Sequence, residues 1–239
     1  MYDAWGLMYE MQLPHDCYRG KNSFCPVIEF NNKVPIANIV IYSERKGKSQ
    51  EKVVLLQNEL SNCKNKRTMK EIYLAGGCFW GTEHYFKLIQ GVTNTEVGFA
   101  NGDTENPTYK EVYTDQTGYA ETVHVVYDEK VVSLEFLLNM FFKAIDPTSL
   151  NRQGHDEGTR YRTGVYYVSE DQLPVINKVF AEQQALLAVP IAVECLPLKN
   201  FYTAEEYHQN YLDKNPDGYC HLPTALFEYA RQARPSHSV

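Results

Sequence analysis

The sequence has no run approaching the roughly 18 uninterrupted apolar residues that a membrane-spanning helix needs. Its first residues, Met1-Tyr2-Asp3-Ala4-Trp5, lack both a basic opening and an apolar stretch ending in a small-residue cleavage site. No secretory signal is read there, and a cytoplasmic location, where thiols stay reduced, is expected. The six cysteines, at 17, 25, 63, 78, 195 and 220, include no Cys-x-x-Cys pair. None of the seven histidines has a His-x-x-x-His partner, so the common zinc-ligand spacings are absent and no metal is expected. Positive charge is not in surplus either. The formal net charge is −7, which excludes broad electrostatic capture of nucleic acid.

What is present is the composition of an ordinary globular protein: 239 residues, 44% hydrophobic and 22% charged. The charge is uneven. Residues 1–68 hold ten Lys/Arg and seven Asp/Glu, whereas residues 69–239 hold thirteen and twenty-three. The first part is weakly patterned, with a possible strand over Val34–Tyr42, some helical spacing over Gln50–Leu60, and linker chemistry from Ser61 to Arg67. Residues 1–68 are therefore expected to be an N-terminal extension without a packed core, and residues 69–239 the folded domain. Cys17, Cys25 and Cys63 are expected to be bystanders.

From Met69 the patterning sharpens. Glu71–Ala75 reads as a buried strand ended by Gly76-Gly77, Cys78–Ile89 as a helix, and Val92–Phe99 as a strand before a turn at Asn101-Gly102-Asp103. Pro107 suits the first turn of a helix through Tyr113. Tyr119–Tyr127 alternates as a strand. Ser133 can cap a helix with Leu134, Leu137, Leu138, Phe141 and Ile145 on one face. A strand over Arg160–Val168, a helix over Asp171–Leu187 and a strand over Ile191–Leu196 follow. Thr203 and Glu206 form a capping-box pair opening a helix through Leu212, and a last helix is read at Ala225–Ala230. Short, irregularly spaced elements of both kinds predict a two-layer α+β sandwich rather than a doubly wound sheet.

Three positions carry possible chemistry. Cys78 stands between two glycines and the first turn of a helix, whose unpaired N–H groups and dipole favour a thiolate. A small buried residue filling a strand–helix corner would leave the same pattern. Glu121 falls on the face of its strand that carries Val123, Val125 and Tyr127. A carboxyl there should be desolvated and held protonated, as a general acid requires, unless the strand's start lets it reach water. Cys220 follows the turn sequence Asn215-Pro216-Asp217-Gly218 and could travel to meet a second thiol, whereas Cys195, on a strand, reads as structural.

Four ordered motifs then resemble one family. Gly77-Cys78-Phe79-Trp80-Gly81, Tyr119-Ala120-Glu121-Thr122-Val123, the stretch from Arg152 to Tyr161 (RQGHDEGTRY) and Tyr207-His208-Gln209 resemble the peptide methionine sulfoxide reductase A family, from about Met69 to Cys220. The resemblance implies a ferredoxin-like α+β core with an irregular C-terminal segment. It implies reduction of the S-epimer of methionine sulfoxide, free or within proteins. Cys78 would attack the sulfoxide sulfur and become a sulfenic acid. Glu121 would protonate the oxygen, with Tyr109 and Tyr161 donating hydrogen bonds to it. Phe79 and Trp80 would wall the substrate methyl group, Asp156 would stand at the pocket edge, and Cys220 would resolve the sulfenic acid to a disulfide. Thioredoxin, or dithiothreitol in vitro, would reduce that disulfide. No cofactor is implied, and a monomer is expected.

The chain departs from the family in two places. Many relatives carry a further cysteine beyond the resolving one; here the stretch after Cys220 has none, so a Cys78–Cys220 disulfide would have to be reduced directly. Tyr119 also stands where relatives commonly have His. Two rival readings of Cys78 remain: a cysteine hydrolase, for which His84 or His208 would supply the base, and a module binding oxidised methionine without turnover.

Overall fold

A computed structural model describes residues 69–235. The strand expected at 34–42, the helix expected at 50–60 and Cys17, Cys25 and Cys63 lie outside the described residues. No helix among the described residues is long and apolar enough to cross a membrane.

The chain runs β1 (Met69–Gly76), α1 (Phe79–Lys87), β2 (Val92–Ala100), the single turn α2 (Tyr109–Val112), β3 (Ala120–Asp128) and α3 (Leu134–Ala144). A two-residue hairpin, β4 (Arg152–Gln153) and β5 (Asp156–Glu157), precedes β6 (Thr163–Tyr167) and α4 (Leu173–Ala185). Then come β7 (Glu194–Pro197), β8 (Phe201–Thr203), α5 (Tyr211–Lys214) and α6 (Thr224–Gln232). Six strands make one sheet in the order β7-β6-β1-β3-β2-β8, antiparallel except for the parallel β6–β7 pair.

The period-two alternation of β1 sorts its side chains. Ile72 and Leu74 enter the main core, while Tyr73 and Ala75 join a small cluster with Ala100, Ala120 and Tyr166. The helices cover the first face. Tyr85 and Phe86 of α1 and Leu137, Leu138 and Phe141 of α3 are completely buried there. Each such side chain contributes on the order of 1.5–3 kcal/mol by leaving water. Ser133 begins α3 as expected, its Oγ accepting the Phe136 N–H at 3.2 Å. In the resulting mixed α/β fold α1 connects β1 and β2, with β3 between them in the sheet, and this is what positions the site.

Three expectations fail locally. Arg160 and Tyr161 are not in a strand: Thr159–Tyr161 forms a 3-10 turn, because Asp115 Oδ1 takes the Arg160 N–H at 3.0 Å and bends the chain before β6. Thr203 does not cap a helix. It belongs to β8, which pairs with Gly98, and its hydroxyl donates to Glu96 at 2.8 Å. The following segment is held by Gln209 instead, whose side-chain amide accepts the Val97 N–H at 2.9 Å and donates to the Val97 carbonyl at 2.8 Å. That amide satisfies a sheet edge as another strand would, so a helix begins only at Tyr211. Pro107 precedes α2 rather than entering it, and Thr108 is the capping residue, in a full capping box with Glu111.

Candidate active site

β1 ends where Gly77 adopts φ +84°, a conformation L side chains rarely take, and a Cβ there would meet Gln153 Cβ at 2.6 Å. The chain therefore turns sharply into α1 with Cys78 as its capping residue. Thr82 Oγ1 holds the corner by donating to the carbonyls of Gly76 and Cys78, at 3.2 and 3.1 Å. Cys78 is only 5% exposed. Contrary to the thiolate expected of a helix start, burial pushes this thiol well above its ordinary range, and the carboxyls of Glu121 and Asp156 push the same way. The Trp80 N–H opposes them without prevailing. Desolvation outweighs the helix end because the sulfur has almost no water to share its charge with.

Glu121 lies on β3 opposite Phe99 and is 1% exposed. Its Oε2 accepts the Phe79 N–H at 3.0 Å, on the first turn of the helix that Cys78 begins. Burial lifts its carboxyl to about 8, against the pull of that N–H and of the nearby Arg160 guanidinium. Arg160 is itself buried, bonded to Asp115 Oδ2 at 2.6 Å and stacked on the rings of Tyr113 and Tyr161 at 4.2 and 4.4 Å. Tyr109 and Tyr161 both feel Glu121 and Cys78 as neighbours. Burial first, then Glu121, raises both phenols, so they remain donors at neutral pH.

Phe79 is buried and Trp80 half-buried beside it, their ring centres 6.4 Å apart. The indole stacks on Tyr211 at 3.7 Å and donates its Nε1–H to His208 Nδ1 at 3.1 Å. An indole N–H can only donate, so His208 carries its proton on Nε2, facing Glu205 Oε2 at 4.0 Å. Burial keeps His208 neutral. Glu205 Oε1 in turn accepts the Tyr109 N–H at 3.0 Å. Neither histidine proposed as a hydrolase base meets the thiol: His208 is committed to Trp80, and His84 bonds Asp213 at 3.1 Å.

Asp156 and Cys220 are further neighbours of Cys78. Asp156 Oδ1 accepts the Tyr219 hydroxyl at 2.9 Å, and its Oδ2 is buried without a partner. Cys220 is half-buried, its Sγ accepting the Leu222 N–H at 3.4 Å, and burial raises its thiol. Cys78, Cys195 and Cys220 are all free thiols. Cys195 sits on edge strand β7 opposite Val165. Tyr119 is buried against Gly102 with its hydroxyl on the Thr104 carbonyl. The histidine that does meet Cys78 is His221: one of its ring nitrogens, Cys78 Sγ and an Asp156 oxygen lie within 4.8 Å of one another. Among the described residues, no other set of three His, Cys, Asp or Glu side chains gathers in this way. Sequence reasoning singled out neither Tyr219, His221 nor Glu205, although the first two flank Cys220 and that adjacency was a usable signal.

A family model described as peptide methionine sulfoxide reductase matches residues 70–237. The peptide methionine sulfoxide reductase MsrA of Clostridium acetobutylicum is 60% identical over 160 residues, covering 67% of this chain and 99% of that one. The MsrA of Lachnoclostridium phytofermentans is 53% identical over 164 residues, covering 69% and 99%. Among solved structures, reduced Mxr1 from Saccharomyces cerevisiae superposes with a TM-score of 0.62 at 43% identity, covering 65% of this chain and 90% of that one. The methionine sulfoxide reductase A of Corynebacterium diphtheriae gives 0.59 at 38% identity, covering 66% and 80%. A match of this extent, with relatives aligned over nearly their whole length, establishes that the chain belongs to the peptide methionine sulfoxide reductase A family, oxidoreductases acting on methionine sulfoxide.

Proposed function

We propose that the chain reduces the S-epimer of methionine sulfoxide, free or within proteins, with Cys78 as nucleophile, Glu121 as acid and Cys220 as resolving thiol. The observation that carries this reading is Glu121: a buried carboxyl lifted to about 8, tied at 3.0 Å to the first turn of the helix that Cys78 begins. Such a group holds a proton at neutral pH where a sulfoxide oxygen must receive one. Cys78 Sγ attacks the sulfoxide sulfur, the S–O bond of the substrate breaks, and the oxygen ends bonded to Cys78 Sγ. The thiol's proton is lost and the oxygen gains one through Glu121, giving methionine and a Cys78 sulfenic acid with no net proton change. The two phenols, kept protonated, steady the oxygen during the transfer. Phe79 and Trp80 wall the methyl group, Trp80 held in plane by His208 and Tyr211. Asp156 lines the edge and anchors Tyr219 beside Cys220.

Cys220 then attacks the Cys78 sulfur and expels water, and thioredoxin, or dithiothreitol in vitro, returns both thiols by exchange. Residues 221–239 contain no cysteine. A cycle built on free thiols fits the cytoplasm, and the chain is read as a monomer. The connection β1-α1-β2-β3-α3-β6 with sheet order β6-β1-β3-β2 supports a ferredoxin-like two-layer core followed by an irregular C-terminal segment. Residues 69–239 are read as the catalytic domain and 1–68 as an extension outside it, in keeping with a family match that starts at residue 70.

The deciding experiment incubates the protein with dithiothreitol and racemic methionine sulfoxide and measures methionine. Half of the racemate should be converted, and Cys78→Ser should abolish conversion. No conversion, or conversion indifferent to Cys78→Ser, overturns the reading.

A further inference from the structure

Both ring nitrogens of His221 are buried and have no hydrogen-bond partner, as is Asp156 Oδ2. The Gly76 carbonyl lies close enough to favour the charged ring, yet outside bonding geometry. Buried polar atoms left unpaired are rare in folded proteins and call for an explanation, a catalytic role being one. Here one His221 ring nitrogen and one Asp156 oxygen lie within 4.8 Å of the Cys78 sulfur. The space is made by Gly81, where a Cβ would stand 2.9 Å from Cys220 Sγ and 3.1 Å from His221 Nδ1. Cys220 and His221 thus close on the same point of α1, one turn from Cys78.

We propose that His221 is the acid–base residue of disulfide formation, taking the proton of the Cys220 thiol and delivering it to the oxygen that leaves Cys78 as water. This rests on the reading of Cys78 as nucleophile and Cys220 as resolving thiol. In the step, the Cys220 S–H bond breaks and the S–S bond forms. The Cys78 S–O bond breaks, and the departing hydroxyl takes up the proton from the imidazole. Cys78 is reduced from sulfenic acid, Cys220 is oxidised, and no other reactant is needed. The gap from Cys78 Sγ to the ring nitrogen is at most 4.8 Å. An oxygen bonded to that sulfur would bridge it, standing roughly 3 Å from the nitrogen, at hydrogen-bond distance. A base is needed because burial keeps the Cys220 thiol protonated. His221 is available as one because burial also holds its ring neutral. Asp156, the carboxyl that acts on both Cys220 and His221, favours the imidazolium once it forms.

The test mixes reduced protein with methionine sulfoxide in the absence of reductant, quenches at intervals, and quantifies methionine, disulfide, and sulfenic acid captured by a cyclic 1,3-diketone. Wild type should release methionine and form disulfide with little sulfenic acid captured. In His221→Gln and His221→Ala, disulfide formation should slow by about 100-fold, the low end of what a positioned acid–base group supplies, and captured sulfenic acid should approach one equivalent. Added imidazole should restore disulfide formation in His221→Ala. Disulfide forming at the wild-type rate in both variants overturns the proposal. Slow disulfide formation that imidazole does not rescue overturns it too, making His221 a positioning residue. Wild type releasing no methionine sinks the underlying reading of Cys78, and this proposal with it.

Discussion

The Phe79 N–H donates to Glu121 Oε2 at 3.0 Å, which ties a carboxyl on β3 to the helix turn that Cys78 begins. The bond is not strong enough to ionise the carboxyl. It orients the group and leaves burial to set its proton affinity, so one contact positions the acid without spending its proton.

Glu121→Gln should lower kcat/KM by roughly 100- to 10,000-fold, the range a general acid supplies. Wild-type kcat/KM should fall as pH rises through about 8, and that limb should be missing in the variant. Stability has a matching signature. Below the ordinary carboxyl value of 4.5 the group is protonated folded or unfolded, so its folded-state proton affinity brings no pH dependence. Between 4.5 and about 8 the unfolded chain loses the proton first, and wild type should lose ~1.4 kcal/mol per pH unit relative to Glu121→Gln. Urea unfolding of both proteins at pH 5 and pH 8 measures this; an equal gap at the two pH values contradicts it.

Arg160→Met removes the cation that draws the Glu121 carboxyl down. The alkaline limb of the kcat/KM profile should therefore move upward in pH. A limb that stays in place or moves down would show that Arg160 does not act on the acid.

His208→Ala deprives the Trp80 indole N–H of its acceptor. Leaving that donor unpaired costs about 1–2 kcal/mol, which should appear as a roughly 5- to 30-fold rise in KM for methionine sulfoxide. His208→Gln, which can still accept, should recover part of it. A change confined to kcat would argue that His208 touches the chemistry rather than the wall.

Gly81→Ala is helix-favouring by composition, yet its methyl would meet Cys220 Sγ at 2.9 Å. The thiol and the neighbouring ring must shift, and a displacement of that size should slow disulfide formation by roughly 10- to 100-fold. Quenched-flow measurement of the disulfide tests it, and a wild-type rate would mean the segment yields freely.

Cys220→Ser should complete one turnover, releasing one equivalent of methionine, and then fail to cycle with thioredoxin. Sustained thioredoxin-driven turnover in that variant would assign the resolving role elsewhere.

Local pattern was enough to place the strand–glycine–helix corner at Cys78, the cap at Ser133 and the apolar face under Glu121, because each depends on neighbours within a few residues. Thr203 and Glu206 had the spacing of a capping box but not its outcome, since Glu96 and Gly98, about a hundred residues earlier, claim Thr203 for the sheet. Arg160 lost its strand in the same way to Asp115.

The sequence by itself determined which side chains were available for thiol chemistry and, through four ordered motifs, the family to which they belong. Only the tertiary structure decided their protonation. A helix start promised a thiolate at Cys78, but desolvation, which depends on everything packed around the sulfur, holds the proton on it. The same is true of His221. Its place next to Cys220 is the only mark it carries along the chain, and it becomes chemically interesting only where the C-terminal segment packs on α1 and sets its imidazole near a thiol and a carboxyl.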